Sequence, residues 1–295
     1  MAVGRQRRAG LVACLAAGAL VLSASAQEAP AARPPDEGRL TLLTYNVHGL
    51  PAFITGDETL ARQAAIAPLL APFDVIGLQE DFMDEGHALL LGAAPHRSRL
   101  RFAALVADDR VYGSGLTSLA RLPVVFHTSA HFRTFHGLLA SGSDGLASKG
   151  FQLLRVELAP GVELDVYNSH LDAGGAEGDQ EARAAQVAQL TAAMQDVSGD
   201  RAVVFLGDTN LGASHGRDPE TLTRWLEATR LTCACAAARQ TCCGRIDRVL
   251  VRGGAGVELT VTRWGVAPGF TDAQGRPLSD HEPLLAELCW RRAPL

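Results

Sequence analysis

A layered α/β fold with packed sheets, rather than a doubly wound one, is what this sequence predicts. Strand-like apolar runs are many and helical stretches few, and no internal repeat divides the chain. Several of the runs also end in polar or ionisable residues, the mark of strands that deliver a site at a sheet edge. With 295 residues, 47% hydrophobic and 20% charged, the chain can bury a large core as one domain.

Residues 1–26 join a basic start (Arg5, Arg7, Arg8), an apolar stretch from Ala9 to Leu22 and the small residues Ala24, Ser25 and Ala26. That is the pattern of a secretory signal peptide, with the mature chain starting at Gln27 and a periplasmic or secreted destination. The apolar run is too short for a membrane anchor. Leu11-Val12-Ala13-Cys14 resembles a lipoprotein box but precedes most of the apolar stretch, and Arg7-Arg8 leaves a twin-arginine route open. Removing residues 1–26 takes away three arginines and no acid, so the formal charge moves from −5 to −8. An acidic chain weighs against a processive nucleic-acid binder, which ordinarily needs a basic face.

Residues 27–38, rich in Ala, Pro and charge, read as a linker, and 39–295 as the folded domain. Leu40 to Asn46 is the first strand. Thr59 to Leu70 has helical spacing that stops near Pro72, and Asp74 to Glu80 is a second strand ending on a carboxylate. Arg101 to Ala107, Leu116 to Ala120 and Val124 to His127 are further strand candidates. After a Gly- and Ser-rich loop to Lys149, Gly150 to Leu158 and Val162 to His170 read as two strands about a Pro160-Gly161 turn. Glu181 to Met194 is a helix with Ala184, Val187, Leu190 and Met194 on one face. Val203 to Leu211 is a buried strand that closes on Asp208-Thr209-Asn210; Asp208 and Asn210, two apart, point the same way from an extended chain. A helix near Pro219 to Ala228 follows, then strands Ile246 to Val251, Val257 to Thr262 and Pro283 to Leu288.

Five cysteines remain after residue 26. In an exported chain Cys233, Cys235, Cys242 and Cys243 read as two disulfides stapling one loop, with connectivity open and Cys289 left over and buried in the last strand. A zinc site is the alternative, but adjacent Cys242 and Cys243 suit a zinc knuckle poorly.

Asn46, Glu80, His170, Asp208, Asn210, Asp247, Asp280 and His281 all lie at or beside strand ends. Each alone reads equally well as an ordinary loop polar residue. Together, carboxylates with amides form hard oxygen ligands suited to Mg²⁺ or Mn²⁺, and a histidine base beside a metal suggests hydrolysis.

TYNVHGL, DVIGLQE, NSHLDAG, FLGDTN, RIDRVLV and SDHEPL stand in the order and spacing of the endonuclease/exonuclease/phosphatase superfamily, the fold of DNase I. The resemblance covers Arg39 to Leu288. It implies a four-layer α/β sandwich, two packed mixed β-sheets flanked by helices, and metal-dependent cleavage of a phosphate ester. SGLTSLARLPV followed by Asp144, Lys149 and Gly150 further resembles the neutral sphingomyelinases, which carry an Asp and a Lys five apart just before a Gly and a strand. No membrane-inserting hairpin or anchor like theirs is evident.

The mechanism expected is in-line attack of water on a phosphodiester. His281 is the general base and Asp247 accepts its other ring proton. Glu80, Asn46 and Asp280 hold Mg²⁺ (or Mn²⁺). Asp208 and Asn210 orient water or phosphate, His170 hydrogen-bonds a non-bridging oxygen, and Lys149 supplies a charge to the phosphate with Asp144 holding it. Asp172 and His48 are lesser candidates. The substrate is a phospholipid or another phosphodiester, nucleic acid only if the chain is a secreted nuclease; a non-catalytic binding module of the same fold is the third reading. No protein partner is evident. Phe132, Phe135, Leu138 and Leu139 make an apolar set on the long loop, either a peripheral membrane contact or a small core beneath it.

Overall fold

Strands with both faces buried need cover on each side, and the chain meets that need with layers. The computed structural model describes Met1 and residues 35–92, 94–107, 110–137, 146–239 and 244–293. The signal peptide, most of the linker, Leu138, Leu139, Asp144, Cys242 and Cys243 lie outside the described residues. The described strands and helices belong to one compact unit, Pro34–Leu295.

Among the described residues, twelve strands build two six-stranded sheets. The first holds β1 (Glu37–Asn46), β2 (Val75–Gln79), β3 (Ser98–Phe102), β4 (Leu116–Ala120), β11 (Val257–Val266) and β12 (Leu284–Arg292), in the order β11-β12-β1-β2-β4-β3. The second holds β5 (Val124–His131), β6 (Gly150–Ala159), β7 (Val162–His170), β8 (Val203–Asp208), β9 (Thr232–Cys233) and β10 (Asp247–Arg252), in the order β5-β6-β7-β8-β10-β9. Each sheet is antiparallel except for one central parallel pair, β1 with β2 and β7 with β8. Such a pair sends both C-terminal ends to one edge, and the antiparallel neighbours start there. Asn46 therefore faces Gln79 with Glu80 one residue beyond, and His170, Asp208 and Asp247 form a row across three strands.

Strand alternation sets the layers. Leu40 and Leu42 of β1 point inward to Val166, Val204, Leu206 and Val249 of the other sheet. Leu43 and Tyr45 point outward beneath α2 (Thr59–Ile66), the 3₁₀ turn Ala67–Leu70 and α3 (Asp84–Gly92). In β8 the outward residues are Val203 and Phe205, covered by Val187 and Leu190 of α4 (Glu177–Ala193) and Trp225 of α5 (Asp218–Thr229). Burial on both faces is why these strands appear as continuous apolar runs.

The elements depart from expectation where tertiary pairing decides their ends. β1, β5, β11 and β12 outrun their apolar cores because the ladder continues where one face reaches solvent. The strand expected at Arg101 to Ala107 is Ser98–Phe102: its pairing with β4 ends at Phe102 opposite Leu116, so residues 103–107 leave the sheet. Three helices were not evident in the sequence: α1 (Ala52–Thr55), α3 and α6 (Ala234–Arg239). The helix expected from Glu181 begins at Glu177, where Asp179 accepts the Ala176 N–H at 2.8 Å. Cys233 and Cys235, expected in a loop, lie on β9 and α6. Cys289 is half-buried on β12 with a free thiol, not fully buried, since its side of the strand reaches the surface. Phe132 packs in the core with Phe151 and Leu171, which removes it from the apolar loop set.

A polar seam joins the sheets beneath the site. The Asn168 amide of β7 accepts from Gln79 Nε2 at 2.8 Å and reaches Leu78 O and Thr117 O, each at 3.1 Å. Gly77 leaves the room for it: a Cβ there would stand 2.9 Å from Asn168 Oδ1 and 3.0 Å from Leu206 Cβ. Gly77→Ala is expected to destabilise the fold by about 1–3 kcal/mol through overpacking. Urea unfolding checks this, and an unchanged midpoint would refute the close approach of the sheets at this point.

Candidate active site

Asp208, buried at the end of β8, is the meeting point of both sheets. Its Oδ2 receives Asn46 Nδ2 from the first sheet at 3.1 Å and lies 3.4 Å from His170 Nε2 and 3.8 Å from His281 Nε2. Its Oδ1 accepts the Asn210 N–H at 3.1 Å. Asn210 adopts φ 49°, which turns its own amide back to that carboxylate.

Around Asp208 the site has three parts. On one side His281 Nδ1 lies 2.8 Å from Asp247 Oδ2, the separation of an oriented imidazole. On a second side Asn46 Nδ2 donates to Glu80 Oε1 at 2.9 Å, and the His48 N–H donates to Asn46 Oδ1 at 3.0 Å. His48 Nδ1 stands 3.7 Å from Glu80 and 3.4 Å from Asp280, so these two carboxylates meet on the His48 ring. On the third side Lys149 Nζ, buried, donates to Leu171 O at 2.8 Å and stands 3.2 Å from His170 Nε2, where Asn210 Nδ2 also arrives at 3.3 Å.

Electrostatics separate the roles. Burial pushes Glu80 up, but the His48 contact, the Asn46 hydrogen bond and the Lys149 charge outweigh it and bring the carboxyl down to about 2. Burial, reinforced by the Asp247 charge, holds Asp208 well above the ordinary carboxylate range. Burial lowers His281, yet the Asp247 hydrogen bond and the Asp208 charge more than reverse this and raise it to about 9. His170 is held neutral by burial and the neighbouring Lys149.

Asn46, Glu80, His170, Asp208, Asn210, Asp247, His281 and Lys149 thus come together. Asp280 stands at the rim, its side chain 57% exposed, touching Ser279 Oγ and His48. His48 belongs to the site more closely than its sequence setting suggests. Asp172 does not: it accepts the His136 N–H at 2.6 Å and Gln186 Nε2 at 2.7 Å, tying a loop to α4. Arg62 of α2, whose guanidinium donates to His48 O and Leu278 O beside the site, was not evident in the sequence, because a single arginine on a short amphipathic helix carries no local signal.

The donor chemistry fits a hard divalent cation. Glu80 is ionised at neutral pH beside the Asn46 amide, and ligand atoms of Asp208, Asp247 and His281 lie within 4.8 Å of one another. Asp247 Oδ1 is buried without a hydrogen-bond partner among the described residues, an oxygen with coordination to spare.

The chain belongs to the endonuclease/exonuclease/phosphatase family, which it matches over residues 43–281. A sphingomyelinase of Mycobacterium tuberculosis is 29% identical over 265 residues, 83% of this chain and 52% of that protein. The chain therefore spans about half the length of the curated relatives it matches. A crystal structure of sphingomyelinase C from Streptomyces griseocarneus is similar with a TM-score of 0.62 at 21% identity, covering 85% of this chain and 99% of that one. A beta toxin variant from Staphylococcus aureus, solved with bound magnesium ions, is similar with a TM-score of 0.64 at 15% identity, covering 84% and 99%. These structural likenesses show the fold.

In metal-free protein the His281 ring is expected to titrate near 9, charged below and neutral above. Because this lies above the unfolded value of about 6.5, the ion pair's stabilisation is complete below that pH and fades as pH rises towards 9. Histidine NMR titration checks it, with Asp247→Asn expected to lower the midpoint. A wild-type midpoint near 6.5 would contradict the assigned pairing.

Proposed function

We propose that the chain is an exported, divalent-metal-dependent phosphodiesterase acting on a phospholipid head-group ester of the sphingomyelin kind. The observation that carries the chemistry is the convergence on Asp208 of an oriented imidazole, a low-pKa carboxylate with its amide, and a buried lysine–histidine pair. Water attacks phosphorus in line with the leaving oxygen. His281 Nε2, in the neutral form of the ring, takes the proton of that water while Asp247 accepts from Nδ1 and steadies the imidazolium that forms. Asn210 and Asp208 orient the water or phosphate, and Lys149 and His170 hydrogen-bond a non-bridging oxygen. Glu80 and Asn46, with Asp280 at the rim, would hold Mg²⁺ or Mn²⁺, which when bound neutralises phosphate charge and eases departure of the leaving oxygen.

The preference for lipid is supported by the rim. β3 runs with β2, and β5 with β7, so residues following them emerge on the same edge as the site. Large apolar side chains are exposed in these segments and in α1: Phe53 (86%) and Ile54 on one side, Leu105 (50%), Val106, Val111 (59%) and Phe135 (41%) on the other. The second group is fastened beside Lys149, with the Val106 N–H on Ser148 Oγ at 3.0 Å and the Val111 N–H on Leu146 O at 2.9 Å. Apolar tips about an acidic cleft suit a zwitterionic lipid surface better than a polyanion. The likeness to sphingomyelinases points the same way. Export rests on the pattern of residues 1–26, and in that setting Cys235, Cys242 and Cys243 would supply a disulfide; the expectation of two bridges is corrected at Cys233, which lies on β9 outside any disulfide.

EDTA is expected to abolish hydrolysis and Mg²⁺ or Mn²⁺ to restore it, and His281→Ala to lower turnover at least about a hundredfold with folding intact. Phosphocholine release from sphingomyelin and nicking of plasmid DNA, assayed side by side, decide the substrate; rapid DNA cleavage without phosphocholine release would make the chain a nuclease. Replacing Phe53, Leu105 and Val111 together by Ser is expected to weaken binding to phosphatidylcholine–sphingomyelin vesicles severalfold and to leave a short soluble phosphodiester hydrolysed at the wild-type rate. Unchanged vesicle binding would remove the rim from the account.

A further inference from the structure

Arg62 lies in α2, near the start of the helix, and is largely buried. Its guanidinium donates to three backbone carbonyls on two separate loops. Nη1 donates to Val47 O at 3.2 Å and to Leu278 O at 2.9 Å, and Nη2 donates to His48 O at 2.8 Å. The Asp57 carboxylate closes the other side, with Oδ1 3.0 Å from Nη2 and Oδ2 2.9 Å from Nε. The Thr55 and Thr59 hydroxyls donate to Asp57 Oδ1 at 2.9 and 3.1 Å and hold that carboxylate in turn.

The three carbonyls matter for where they lie in the chain. Val47 and His48 follow Asn46 directly, while Leu278 comes just before Asp280 and His281. One side chain thereby joins the loop that carries Asn46 and His48 to the loop that carries Asp280 and His281. A second tie runs between the same loops, Ser279 Oγ donating to Asn46 O at 2.7 Å. His48 is in the left-handed region at φ 48°, which is uncommon for a residue other than glycine. Arg62 grips the carbonyl of that residue, whose ring lies between Glu80 and Asp280.

We propose that Arg62 is a positioning residue of the phosphodiesterase site. It fixes the spacing between the Glu80–Asn46 half and the Asp280–His281 half without touching substrate, and so sets cation affinity and the alignment of the base. The inference rests on the proposed phosphodiester hydrolysis. Geometry, not charge, is the operative property, because Asp57 already neutralises the guanidinium. A lysine keeps the charge but cannot present donors to three carbonyls in fixed directions.

The test uses the full chain with Arg62→Lys, Arg62→Gln and Asp57→Asn. Mg²⁺ binding is measured by calorimetry without substrate, and kcat and KM on bis-p-nitrophenyl phosphate well below each variant's Tm. For Arg62→Lys and Arg62→Gln, the Mg²⁺ Kd is expected to rise roughly fivefold or more. Their kcat is expected to fall on the order of ten- to a hundredfold, with KM within about twofold, since small misplacements of reacting groups cost that much. Asp57→Asn, which keeps the carbonyl bonds but loosens their support, is expected to fall between these variants and wild type; it remains informative if both Arg62 variants fail to fold. Wild-type Mg²⁺ affinity and kcat in a folded Arg62→Lys or Asp57→Asn protein, even with a lowered Tm, would reduce Arg62 to a structural residue and overturn the proposal. A wild-type protein that neither binds Mg²⁺ nor hydrolyses a phosphodiester would instead defeat the reading of function on which it rests.

Discussion

The burial of Asp208 is the constraint on which the rest of the site depends. A carboxylate removed from water costs several kcal/mol unless its oxygens are met by donors. Here the donors come from everywhere but its own strand. Asn46 donates from the opposite sheet and the Asn210 N–H from the following loop, while the rings of His170 and His281 stand by without hydrogen-bonding it, at 3.4 and 3.8 Å, from a neighbouring strand and from the loop before β12. The two sheets must therefore stack with the ends of β1 and β8 in contact, and the polar seam of Gln79 and Asn168 beneath them keeps that stacking in register. Shape and chemistry are satisfied by the same contacts.

Backbone strain is concentrated at this place. Among the described residues, four other than glycine have positive φ, and His48, Glu80 and Asn210 are three of them. The fourth, Arg230, caps α5. Such conformations cost on the order of 1 kcal/mol or more each and persist where neighbours over-determine them. The Gly49 N–H donates to Glu80 O at 3.0 Å, the Asp81 N–H donates to Gly115 O at 2.9 Å, and Arg62 takes His48 O. Gly49 has no alternative as a residue type, since a Cβ would come within 2.3 Å of Glu80 O. The turn after β2 is rigid for these reasons, and it presents Glu80 away from the strand direction.

The same cleft drives neighbouring groups towards opposite protonation states. Glu80 stays ionised and His170 stays neutral, while burial and the Asp247 charge push Asp208 upward and the Asp247 hydrogen bond raises His281 against its burial. Titratable groups split by their surroundings in this way are what an acid–base site requires. Asn46, which also holds Glu80, and His281, which also holds Asp247, both face Asp208 Oδ2, which makes that carboxyl the contact they share.

What the sequence determined by itself was local. Run length and strand period gave the buried strands, and the residue that ends each run marked Asn46, Glu80, His170 and Asp208 as edge positions. Ordered motifs added Asp247, His281 and Lys149, and with them the family. Partnership was not legible, because a strand's pattern states which faces are buried but not which strand lies beside it. That β1 pairs parallel with β2 and β7 with β8, and that Asn46 touches Asp208 across the sheet interface, are decided only when the layers stack. The same holds for single residues. Phe132 sits in the core while Phe135 stays exposed, further exposed tips belong to α1 and to the segment after β3, and Arg62 spans two loops far apart in the chain. Each of these depends on long-range packing, and hydrophobic period and residue type alone carry no record of it.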